Sequence, residues 1–262
     1  YADVIALLVS SPHTFYLVEH GAPEGAGDLS PLGALELAAR LSYHFWQTMP
    51  DEPLLTAARS GALLHPEVDE AEVERMFSDP RTRGAIAAFF GEWLENTSLA
   101  ELDSRLGTPV FDALRGSFEP GPDLRERMLQ EIVDAATYYA FDAGGTFEDF
   151  LLSRRVFART PDLAALYGTS PWDGVGEPPE LADPARVGLI TRAAYLATGS
   201  ANTRPIMKGV FLRTALLCDT LDAPPANAAN MLPDLDPNMT TREVVEQLTG
   251  SGSCAGCHNV LI

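Results

Sequence analysis

The sequence predicts an all-α protein. Three observations predict it: a helical period in the apolar residues, recurring helix-start signals, and no alternating apolar–polar run long enough for a sheet. The period is clearest from Asp123 to Asp142, where Leu124, Met128, Ile132, Ala135, Ala136 and Tyr139 fall on one stripe. Ser30-Pro31, Asp79-Pro80, Thr160-Pro161 and Asp183-Pro184 each place a capping side chain before a proline, whose missing N–H costs nothing in a first turn. Asp123 with Glu126, and Thr240 with Glu243, have the form of capping boxes.

Taken in order, these signals predict helices over 2–10, 31–47, 52–60, 69–78, 80–96, 110–117, 124–142, 184–198, 205–218 and 241–249, the last stopping at Gly250. Glycine and proline gather in three connectors, Gly21 to Gly27, Gly168 to Pro179 and Ala223 to Pro237, and the last reads as a linker. The expected architecture is a multi-helix, bundle-like body followed by a second helical segment. The expected division is 1–28 as the tail of a preceding helical domain, 29–168 as a helical domain, and 183–262 as a second one.

Composition limits the function. Apolar residues make up 46% and charged ones 21%, which supports a packed core rather than disorder. Lysine plus arginine number 18 against 37 aspartates and glutamates, a net charge of −19. Such a surface repels phosphate backbones and anionic headgroups, so nucleic acid and generic membrane-surface binding are disfavoured. No apolar run reaches the ~20 residues of a membrane span. No G-x-S-x-G, H-E-x-x-H or phosphate-binding glycine loop is present. His44, amid Tyr43, Phe45 and Trp46, is expected to be a core or boundary residue; Trp46 and Trp93 are expected on apolar stripes.

One stretch carries chemistry. Cys254-Ala255-Gly256-Cys257-His258 has the form C-x-x-C-H, the attachment signature for c-type haem. Two thiols three positions apart can each add to one vinyl group of the porphyrin, and the next residue, His258, is delivered under the iron as its proximal nitrogen ligand. With three cysteines and five histidines, the pattern arises by chance in about 6 of 10,000 such chains. A zinc site lacks a second C-x-x-C, and a thioredoxin-like pair lacks its βαβ setting; a plain disulfide between Cys254 and Cys257 stays open. Met231 and Met239 lie upstream as candidate distal ligands, though a linker residue and a hydrophobic staple are the simpler readings. The tail from Leu248 to Ile262 has few apolar anchors and is expected to fray.

Arg40-Leu41-Ser42-Tyr43-His44-Phe45-Trp46 followed by Pro50-Asp51-Glu52 resembles the "RLSYFLW … PDxELL" stretch of a domain of unknown function. That domain occurs in large planctomycete and myxobacterial extracytoplasmic proteins with a cytochrome c motif. Asp79-Pro80-Arg81 with Phe89, Phe90, Trp93 and Leu94 is similar to its next block, and Arg154 to Gly168 to its closing block. Arg186-Val187-Gly188-Leu189-Ile190-Thr191, Thr203-Arg204-Pro205 and Gly209 match the partner domain that follows it. His44 and Lys208 depart from the family pattern, where an aromatic and an arginine are usual. The resemblance implies haem c held by Cys254 and Cys257 with His258 on the iron, a periplasmic or cell-surface location, and a segment continuing past Ile262. The function expected is a haem-bearing electron-transfer module of a larger protein, serving a redox partner protein. A recognition scaffold with an accessory haem tail, and an oxidative enzyme with an open sixth position, are the alternatives.

Overall fold

The computed structural model describes residues 1–16, 19, 21, 31–94, 99, 101–197, 204–222 and 239–258. They form two compact units, Tyr1–Ile86 and Ala87–Ile262. The predicted connectors 22–27 and 223–237, Ser30, the end of the helix predicted to 96, Thr203, Met231 and residues 259–262 lie outside the described residues.

The first unit holds α1 (Ala2–Ser10), α2 (Pro12–Phe15), α3 (Ala34–Trp46), α4 (Glu52–Arg59), a 3₁₀ turn at Ala62–Leu64, α5 (Pro66–Phe77) and the start of α6 (Pro80–Trp93). Its core is Ala38, Trp46, Leu54, Ala58, Leu63 and Met76, supplied by α3, α4, the turn and α5. Asp51 starts α4 by accepting a hydrogen bond from the Leu54 N–H at 3.2 Å. The same carboxylate takes the Arg75 guanidinium through both oxygens, at 2.9 and 3.1 Å. The Trp46 indole donates to the Met76 carbonyl at 3.2 Å, and the Arg81 guanidinium lies over its ring, 3.5 Å from the centroid. The family-like blocks around Trp46, Asp51 and Asp79-Pro80-Arg81 thus converge on one aromatic side chain.

The second unit continues with α7 (Pro109–Arg115), α8 (Leu124–Thr137), α9 (Phe147–Leu151), α10 (Pro161–Ala165), α11 (Ala193–Leu196), α12 (Pro205–Phe211), α13 (Thr241–Thr249) and α14 (Gly252–His258). Its core gathers Leu124, Met128 and Ile132 of α8 with Phe150, Val156, Phe157, Leu163, Trp172, Leu189 and Tyr195. Among the described residues there is no sheet; one antiparallel bridge pairs Arg155 with Glu180. Both α8 and α12 end in a π-helical turn, Tyr138–Asp142 and Leu212–Leu216. The second turn presents the Ala215 carbonyl to the Trp93 indole, 2.8 Å away.

The all-α prediction holds, and so do the starts of α6 at Pro80 and α13 after Thr240. Three local expectations do not. No helix spans 184–198: Asp183 instead folds its carboxylate onto the Ala185 N–H at 2.9 Å, and only a 3₁₀ turn, Leu189–Thr191, and α11 are helical there. Asp123 does not cap α8, because its carboxylate is taken by Arg127 at 2.5 Å. The tail, expected to fray from Leu248, is helical in α13 and α14 as far as His258.

Candidate functional site

The C-x-x-C-H stretch sits in the second of two short consecutive helices, α13 and α14. Thr240 opens α13 with a reciprocal capping box: its hydroxyl accepts from the Glu243 N–H at 3.3 Å, while its own N–H donates to the Glu243 carboxylate at 2.7 Å. The Thr240 hydroxyl, which donates to the Glu243 carboxylate at 2.7 Å, and the Thr240 N–H together hold that carboxyl below its ordinary pKa. At the other end the Gly250 N–H returns to the Glu246 carbonyl at 2.7 Å. A Cβ at Gly250 would lie 2.5 Å from that oxygen, so the turn needs glycine there. Gly252, with φ +59°, supplies the left-handed residue at the start of α14.

The seven-residue α14 carries the motif. Residues three and four apart share a helix face, so positions 254, 257 and 258 lie together on one side. Cys254 is a half-buried free thiol. The His258 Nδ1 is shielded from solvent and has no hydrogen-bond partner. A thiol and an imidazole not committed to other protein groups, at this spacing, fit a covalently attached haem. Among the described residues no group of three His, Cys, Asp or Glu side chains is placed to hold a metal ion by itself.

The other candidates separate. Met239 is half-buried directly before the Thr240 cap. His44 is exposed and sets its ring edge-on to Phe45, Trp46 is core, and Trp93 is half-buried against Phe147, with ring centroids 5.8 Å apart. Cys218 is exposed and left-handed, with φ +56°.

Sequence reading missed a second polar cluster. Glu131 of α8 is 1% exposed, Arg192 is 2% exposed, and their nearest side-chain atoms, Oε1 and Nη1, stand 3.7 Å apart. The buried Tyr167 hydroxyl donates to Glu131 Oε2 at 2.5 Å. Burial pushes the Glu131 carboxyl above its ordinary pKa, against the pull of Arg192 and Tyr167, and pushes the Tyr167 phenol well up. Charged residues read as surface in a sequence, and nothing in the local pattern marks these two as buried.

No helix among the described residues is long and apolar enough to cross a membrane. No curated protein and no solved structure matches the chain. Residues 32–169 match a family described as a protein of unknown function, DUF1592, and residues 186–262 match a second, DUF1588. The blocks around Trp46, Asp51 and Arg81 fall in the first span, and the C-x-x-C-H helix in the second. The chain belongs to the DUF1592 family, joined here to a DUF1588 segment.

Proposed function

We propose that the chain is a haem c-bearing electron-transfer module of a larger extracytoplasmic protein. The observation that carries this reading is the C-x-x-C-H sequence on one short helix, with His258 Nδ1 unpartnered beside it. Cys254 and Cys257 would each supply a thioether sulfur, and His258 the proximal nitrogen. When bound, haem supplies a one-electron couple whose potential follows its ligands and burial. In this reading α13 and α14 would position the ligating residues: the Thr240–Glu243 box starts α13, and Gly250 and Gly252 lie in the link to α14. The partner in this reading is a redox protein, and the acidic surface favours one presenting a basic face. Covalent attachment needs the maturation machinery found outside the cytoplasm, so this reading implies the periplasm or the cell surface.

The test is export of the full chain in a bacterial host equipped for cytochrome c maturation, followed by acid–acetone extraction. Colour that stays with the protein and is lost in the Cys254→Ala/Cys257→Ala variant supports the reading. Colour that leaves with the solvent refutes it.

A further inference from the structure

Residues 186–196 form a strap whose amides and side chains are read at several points by the helical body. The Gly188 N–H and the Arg192 Nη2 both donate to the Ser153 carbonyl, at 2.9 and 2.8 Å. The Ala193 N–H donates to the Tyr167 hydroxyl at 2.7 Å, and that hydroxyl donates onward to Glu131. Gly188 has φ +79°, and a Cβ there would lie 2.4 Å from the Leu151 carbonyl oxygen. Near the end of the strap, Tyr195 donates to the Leu94 carbonyl at 2.7 Å and packs on Phe211, the last residue of α12, with ring centroids 4.7 Å apart.

Ala193 and Ala194 are adjacent, buried and identical in shape, so at those two positions a one-residue shift exchanges one methyl for another. Leu189, Tyr195 and Arg192, all buried, are not exchangeable, and of these only Arg192 carries charge. Moved by one position, it would leave the Glu131 carboxylate buried without its cation. Yet the pair is poor glue: Glu131 Oε1 and Arg192 Nη1 have no hydrogen-bond partner, although both are buried. A buried ion pair with incomplete hydrogen bonding suits a specificity role better than a stabilising one.

We propose that Glu131 and Arg192 are a register lock, positioning residues that restrict the strap 186–196 to one seat on the helical body. The lock joins the opening block of the DUF1588 span to the DUF1592 span, and it operates whether or not the chain carries haem.

The experiment is hydrogen exchange of the full chain by mass spectrometry, alongside urea unfolding. Glu131→Met and Arg192→Met are each expected to lower the urea midpoint and to speed exchange of the strap amides about tenfold or more. The Glu131→Met/Arg192→Met double variant is expected to regain the midpoint, because two apolar side chains fill the site, while the strap still exchanges fast. A double variant that regains both, or a single variant whose strap exchanges as slowly as the wild type, overturns the lock. Should the methionine pair fail to regain the midpoint, Arg192→Lys decides. It keeps the charge but cannot donate to Ser153 and face Glu131 together, so faster strap exchange supports the lock and unchanged exchange overturns it.

Discussion

In the first unit, charged groups surround an aromatic side chain; in the second, aromatic and aliphatic side chains surround a charge. Trp46 is buried, and the cations that cover it, Arg75 and Arg81, keep contact with water while Asp51, Glu72 and Asp79 pair with them. Glu131 and Arg192 are shut away from water almost completely. Near the surface, solvent screening makes each ion pair cheap to form and cheap to lose. In the interior the same chemistry costs desolvation when made and more when half of it is removed. The two regions should therefore respond differently to mutation and to pH.

The largest effect is expected at the interior pair. Arg192→Met leaves Glu131 without its nearest cation and the Ser153 carbonyl with the Gly188 N–H as its remaining donor, and should destabilise the second unit by about 3–5 kcal/mol. Urea unfolding followed by the Trp172 indole checks this, since that ring is buried among Tyr138 and Phe157. A loss under ~1 kcal/mol, the scale of an exposed pair, would erase the contrast between the regions.

Next in size is Gly188→Ala. At φ +79° and ψ −179° only glycine is comfortable, and the new Cβ would press on the Leu151 carbonyl. The expected cost is about 1–3 kcal/mol, with strap amides exchanging faster than those of α4. Equal effects on both would mean that the strap does not act as a local element.

Asp51→Ala is smaller. It removes the α4 cap and one Arg75 partner, but Arg75 keeps Glu72 and water. A cap is worth about 0.5–2 kcal/mol, and exchange at the start of α4 should report it. Asp51→Asn keeps the cap and loses only the charge, and is expected to recover most of that.

How far this was legible depends on where the determining contact lies. The starts of α6 and α13 are written locally: Asp79-Pro80 and Thr240 with Glu243 act on neighbours within three residues. The C-x-x-C-H spacing is equally local, and its helix face follows from the period alone. The predicted helix over 184–198 failed because its residues answer to partners elsewhere in the chain, with Gly188 against Leu151 and Arg192 against Ser153. The Asp123 box failed for a nearer reason: Arg127 competes for the capping carboxylate. Glu131 and Arg192 lie 61 positions apart and carry charge, so neither period nor composition marks them.

The smallest and most diagnostic effect is the pH dependence, to which Glu131 of the second unit should contribute with a sign opposite to that of Asp51 and Asp79 in the first. Hydrogen bonds from Arg81 hold the Asp79 carboxyl down to about 2. Asp51 is pushed up by burial, but Arg75 and the Leu54 N–H outweigh that and leave it lowered. A carboxyl lowered by folding contributes stability that is present above its unfolded pKa and lost as pH falls through the folded one. Glu131 is raised, chiefly by burial. A raised carboxyl contributes stability that is full below its unfolded pKa and lost as pH rises through the folded one. Acidifying from neutrality toward the ordinary carboxyl range should then leave the first unit unchanged and favour the second through Glu131, and only below about pH 4 should the first weaken. The three indole N–H resonances separate the signals, because Trp46 donates to Met76 in one unit and Trp172 to Val175 in the other. Urea midpoints read from those two resonances at each pH are the measurement, and Glu131→Gln should flatten the Trp172 response while leaving that of Trp46 untouched. Parallel midpoints for both indoles, in wild type and variant alike, would show that the buried carboxylate is not what distinguishes the second unit.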